Sequence, residues 1–138
     1  MATPNEELID RFFRAYAARD MEALRQVLAA DVRWYFPGKH PLGGVSVGAE
    51  AVVAFFDAMG MVMASSGVRN VELVKGCNGD YVVETQHIST SRGDGVDLDQ
   101  DACVLWKFRD GKIVEGRHFV ADERALEEFF NHAMGKEG

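Results

Sequence analysis

Residues 102–120, ACVLWKFRDGKIVEGRHFV, carry the reading that decides the fold. Ala102, Val104, Trp106 and Phe108 alternate with more polar neighbours, and Asp110-Gly111 is a strong signal for a tight hairpin turn. A second alternating run from Lys112 to Val120 follows at once, so the segment predicts two antiparallel strands with one apolar face. The turn leaves two registers open. A two-residue turn sets His118 opposite Cys103, whereas a three-residue loop of Arg109, Asp110 and Gly111 sets it opposite Ala102. The second is preferred, because it gathers Ala102, Val104, Trp106 and Phe108 with Val114, His118 and Val120 on one consistently apolar surface. A Cys103–His118 dyad is then excluded, since the two side chains point to opposite faces.

Working outward, alternation begins near Val68, with turn signals at Asn78-Gly79 and Gly93-Asp94-Gly95, which predicts a four-stranded antiparallel meander. A tight loop from Arg92 to Gly95 places Val83, Thr85 and His87 on the same inner face as His118. Upstream, Thr3, Pro4 and Glu6 form a capping box that opens a helix with Leu8, Phe12 and Tyr16 along one stripe. Asp20 caps a shorter helix carrying Leu24, Val27 and Leu28 inward. A strand spans Val32 to Phe36, Lys39 to Val47 reads as a loop, and a third helix follows Gly48 with Val52, Phe55, Phe56, Met59 and Met63 on its buried side. Asp122 caps a last helix bearing Leu126, Phe129, Phe130 and Met134.

The 138 residues suit one domain, spanning 1–138. A composition of 47% hydrophobic and 27% charged residues is that of a soluble globular chain. No apolar run reaches membrane-spanning length and no leader pattern opens the sequence, so a cytoplasmic location is expected. The net charge of -7 and the scattered basic residues argue against nucleic acid. Cys77 and Cys103 have no metal or redox spacing, and His40, His87, His118 and His132 are too dispersed for a metal site. Asp97, Asp99 and Asp101 do not make a calcium loop, because Ala102 and Phe108 stand where glycine and glutamate are required. They read as a solvated strand face.

The order of elements resembles the nuclear transport factor 2-like superfamily, in particular its SnoaL-like polyketide cyclase and ketosteroid isomerase relatives. Local marks are Arg19-Asp20, Asp31-Val32-Arg33-Trp34, Gly48-Ala49-Glu50-Ala51-Val52 and Arg109-Asp110-Gly111-Lys112-Ile113. The resemblance implies an α+β, cystatin-like fold, in which a cone-shaped antiparallel sheet wraps the N-terminal helices and a C-terminal helix closes the chain. A gapless match to the isomerase puts Phe12 at its oxyanion-hole tyrosine, Phe36 at its aspartate base and Val104 near its protonated aspartate, so hydrocarbon replaces all three groups. The same match gives the opposite parity for the strand bearing His87. The late-strand aspartate of the cyclases falls on Ala121 or Asp122, the latter better read as a helix cap. Scytalone dehydratase, another relative, is similar in using two strand histidines.

The function expected is cofactor-independent proton transfer on a small hydrophobic carbonyl or polyketide-like molecule, by dehydration, cyclisation or isomerisation. His118 is its general acid or base, Tyr16 a hydrogen-bond donor to the carbonyl, and His87 a second proton carrier. Phe12, Trp34, Phe36, Phe56, Val104 and Trp106 are the expected substrate-binding walls. Lys39 and His40 lie where they could guard the mouth of the cone. The alternative is a ligand-binding or dimer-forming protein without turnover. Leu105, Ile113 and Phe119 are expected on the outer sheet face, where they favour a homodimer.

Overall fold

The computed structural model describes residues 3–135. Helix α1 (Pro4–Ala17) and helix α2 (Met21–Val27) form a hairpin, and α2 runs directly into strand β1 (Leu28–Phe36). Strand β2 (Gly44–Val47), helix α3 (Ala49–Ser65), strands β3 (Arg69–Asn78), β4 (Tyr81–Ser89), β5 (Asp99–Arg109) and β6 (Lys112–Val120), and helix α4 (Glu123–Ala133) follow. The strands make one curved sheet in the order β2-β1-β6-β5-β4-β3. Every pair is antiparallel except β1–β6, so the sheet is mixed.

The caps form as the sequence dictates. Thr3 Oγ1 accepts from Glu6 N while the Glu6 side chain accepts from Thr3 N, and Asp20 and Asp122 accept from Ala23 N and Ala125 N. Leu8, Ile9, Phe12 and Ala15 then face the concave side of the sheet, where they meet Val52, Phe55, Phe56 and Met59 of α3. Each large apolar side chain buried here stabilises the fold by roughly 1.5–3 kcal/mol. Strand β2 lies inside the stretch that reads as a loop. It pairs with β1 from Arg33↔Val47 to Phe36↔Gly44, and its short length kept it below the strand signal.

Register departs from expectation in two places. The β5–β6 turn is the two-residue form, with Arg109 opposite Lys112 and both Asp110 (φ 51°) and Gly111 (φ 75°) in the left-handed region. A bulge then intervenes, since Phe108 pairs with Ile113 but Lys107 pairs with Glu115, and Val114 is the extra residue. His118 consequently faces Val104, a partner that neither simple turn supplies, yet it keeps the inner parity. The bulge also turns Ile113 into the core, where it is fully buried, instead of onto the outer face.

The second departure concerns β4. Ser89 pairs with Asp99, so the connection is the longer Thr90–Leu98 loop, closed by Thr90 N donating to Leu98 O. This moves the count by one and reverses the face. Val82, Glu84, Gln86 and Ile88 point inward, whereas Val83, Thr85 and His87 point outward.

Candidate functional site

Helices α1, α3 and α4 cover the concave sheet and leave a cavity of about 120 Å³ in the cone. Its walls include all six expected residues: Phe12, Trp34, Phe36, Phe56, Val104 and Trp106. Tyr16 and His118 line it as well. The rings are locked edge-to-face, with Trp34 and Trp106 centroids 5.2 Å apart and the His118 imidazole 4.8 Å from Phe36 and 5.6 Å from Trp34. Space for Trp34 comes from Gly116, where a Cβ atom would lie 2.1 Å from Cζ3 of the indole. Phe12, Phe36 and Val104 do converge in one cavity, as the isomerase match implies, but they carry no polar atom there.

Three buried nitrogens on these walls have no hydrogen-bond partner among the described residues: Trp34 Nε1, Trp106 Nε1 and His118 Nε2. A buried unpaired donor costs roughly 1–3 kcal/mol, and native interiors hold few of them. Burial drives the His118 pKa from 6.5 down to about 3. Burial therefore favours the neutral ring, the form in which an imidazole nitrogen can accept a proton. Burial likewise pushes the Tyr16 hydroxyl up to about 12, with Arg19 acting weakly in the other direction, so it remains a donor.

His87 is not in the cavity. It lies on the outer face between Asp101 and Asp99, at 2.7 Å from each, and these carboxylates raise its pKa, Asp101 foremost. The aspartate run thus holds a histidine, with Asp97 instead tying the β4–β5 loop through Thr90 and Arg92 N. His40 braces its own loop. Its Nε2 lies 2.8 Å from Pro37 O, its Nδ1 accepts from Leu42 N, and its ring stacks on Phe130. Asp122 is the helix cap it was expected to be.

The residue that the sequence reading missed is Glu84. It is 3% exposed, on the inner face of β4, with Oε1 accepting from Gln86 Nε2 at 3.1 Å. Burial is the main force raising its pKa, the Glu72 charge adds to it, and Gln86, Lys75 and the Trp106 indole oppose; the result is about 7. It lines a second chamber of about 440 Å³, bounded by α1, α3, β3 and β4. Phe13, Tyr16, Met63, Val68 and Asn70 belong to both chambers, which are therefore contiguous.

With this geometry in view, the chain belongs to the SnoaL-like domain family, whose model matches residues 9–116. An uncharacterised protein of Mycobacterium tuberculosis is similar at 32% identity over 124 residues, covering 90% of this chain and 94% of that one. Among solved structures, Bal32a from a soil-derived mobile gene cassette superposes with a TM-score of 0.81 at 26% identity, over 92% of this chain and 96% of its own. TerC, co-crystallised with polyporic acid, gives 0.77 at 26% identity over 94% and 99%. Among the described residues no helix is long and apolar enough to cross a membrane.

Proposed function

We propose that the cone binds a small aromatic or polyketide-like carbonyl compound and promotes proton transfer on it, as dehydration, cyclisation or isomerisation, without a cofactor. The observation that carries this reading is the set of three buried, unpartnered nitrogens on the walls of one apolar cavity. Two are indole N–H donors and the third is a neutral imidazole nitrogen, a combination suited to a carbonyl or hydroxyl oxygen. Tyr16 adds a phenol that stays protonated. In this role His118 orients the ligand oxygen as a neutral group.

The alternative of binding without turnover draws support from the same chemistry, since nothing on the cone's own walls changes charge near neutral pH. A homodimer is also proposed, formed through the outer sheet face, where Phe119 is 50% and Val83 39% exposed beside Leu105.

The chain has two tryptophans, and both line the cone, so intrinsic fluorescence reports on the site directly. Titration with 2-tetralone, a bicyclic ketone, and with polyporic acid should give saturable quenching by at least one of them. His118→Phe should weaken that binding about tenfold, the worth of one good hydrogen bond. Absence of any saturable change in the wild-type protein would sink the reading.

A further inference from the structure

The cone cavity alone is small. At about 120 Å³ it is close to the size of a space that holds a single benzene ring, whereas sites for whole small molecules run to roughly 300 Å³ or more. The neighbouring chamber supplies the missing volume, and the two meet along Phe13, Tyr16 and Met63. The cone offers hydrogen bonds and no titrating group. The second chamber offers the reverse, a buried carboxyl.

We propose that the two chambers form one bipartite site in which the cone seats the ring and carbonyl of the ligand, and Glu84 is the catalytic residue that takes and returns its proton. The inference rests on the carbonyl-binding reading given above. Three geometric facts carry it. Glu84 pairs with Val104 and Trp106 with Val82, so Glu84 and Trp106 are diagonal neighbours on adjacent strands, a spacing of roughly 7–8 Å that long and aromatic side chains bridge. Trp106 Nε1 makes no hydrogen bond of full geometry among the described residues yet lies near enough to Glu84 to lower its pKa, so a carbonyl held there brings its adjacent carbon toward the carboxyl. Glu84 Oε1 is occupied by Gln86, while Oε2 has no hydrogen-bond partner among the described residues.

The chemistry balances within the ligand and the carboxyl. Glu84 Oε2 accepts the proton from the carbon next to the carbonyl; the C–H electron pair becomes the new C=C bond, and the charge moves to the carbonyl oxygen at the indole N–H. Return of the proton to the same carbon restores the ketone, and its delivery to a conjugated carbon isomerises it. No oxidant or other reactant is consumed.

The charged and titratable groups around Glu84 are consistent with a proton carrier. Glu72 and Lys75 face it from β3, with Lys75 drawn away to Asp10 on α1 at 3.0 Å. Tyr16 and Arg19 line the chamber from the helix hairpin, and Arg19 is neutralised by Asp57 at 2.5 Å. Cys103 stands on β5 with its thiol pushed up by burial and then by Glu84. A carboxyl poised at about 7 matches the requirement that an acid/base group titrate near working pH.

The test is exchange of the C1 protons of 2-tetralone in D2O, followed by proton NMR against the buffer background. Wild-type protein should catalyse exchange, with a rate that rises through an inflection near pH 7. Glu84→Gln, which keeps the shape and a hydrogen bond to Gln86, should lower it by about 100-fold or more while 2-tetralone still quenches tryptophan fluorescence. Undiminished exchange in the variant overturns the role of Glu84 and leaves the carbonyl-binding reading standing, as does wild-type binding without exchange. Failure of the wild type to bind 2-tetralone overturns the role of Glu84, and failure to bind polyporic acid as well overturns the carbonyl-binding reading. If Glu84→Gln does not fold, the wild-type profile decides, and exchange without an inflection between pH 6 and 8 rejects the proposal.

Discussion

Glu84 and His118 stand in one transverse row of the concave sheet, on either side of Val104, which pairs with both. Two strand spacings separate them, about 10 Å. Burial shifts them in opposite directions, each toward its neutral form, the carboxyl up to about 7 and the imidazole down to about 3.

Stability should therefore fall on both sides of a plateau. The native state holds the Glu84 proton more tightly than the unfolded chain does, so its contribution is full below pH 4.5 and is lost as pH rises toward 7. It amounts to at most about 3 kcal/mol. His118 works the other way, costing nothing above pH 6.5 and destabilising as pH falls toward 3. Between pH 4.5 and 6.5 the two slopes oppose. Urea denaturation at pH 4, 5.5 and 8 should show Glu84→Gln gaining on wild type from acid to pH 8, and His118→Phe gaining toward acid. Parallel curves at all three pH values would refute the burial argument.

His118→Phe should leave folding nearly intact, because a ring of similar size and no unpaired nitrogen replaces the imidazole in its nest of Phe36 and Trp34. Ligand affinity should drop with it. Cys103→Ala changes an outer-face residue and should leave binding unchanged, which calorimetry on both variants checks.

Gly116→Ala tests the seat of Trp34. The added methyl would sit 2.1 Å from the indole, so the ring must leave its place at a cost of about 1–3 kcal/mol. A lowered melting temperature together with lost quenching by ligand is expected; a variant as stable as wild type would show that the indole is not held there.

His87→Ala should spare both binding and proton exchange, since the imidazole lies on the outer face with exposed carboxylate partners. Loss of exchange at unchanged melting temperature would place His87 back in the site.

Phe119→Asp should convert a dimer to a monomer in sedimentation equilibrium, because Phe119 presents half its surface on the outer face. Wild-type protein that is monomeric at high micromolar concentration would remove the dimer.

Much of the fold was legible because its signals are local. Thr3-Pro4 and Glu6 spell a helix start in the chain itself, and Asp110-Gly111 spells a tight turn. The face of His118 was recovered although its partner was not, since the bulge at Val114 has no residue signature and merely adds one to a count. On β4 the alternation was visible but could be read two ways. Apolarity pointed to Val83 and Thr85 as the inner set, whereas the structure buries Glu84 and Gln86, held by each other and by the longer Thr90–Leu98 connection. A pattern built on hydrophobicity fails where a cavity wall is polar, so the carboxyl lining the second chamber was the residue most easily passed over.

The three unpaired nitrogens have a practical corollary. Each leaves the empty protein short of stabilisation that an occupant can supply, so a molecule satisfying even one of them raises the melting temperature by mass action. The thermal transition of the unliganded chain is in effect a detector for its own unknown ligand, and a library of small aromatic ketones and quinones can be ranked by heating alone, before any reaction has been assayed.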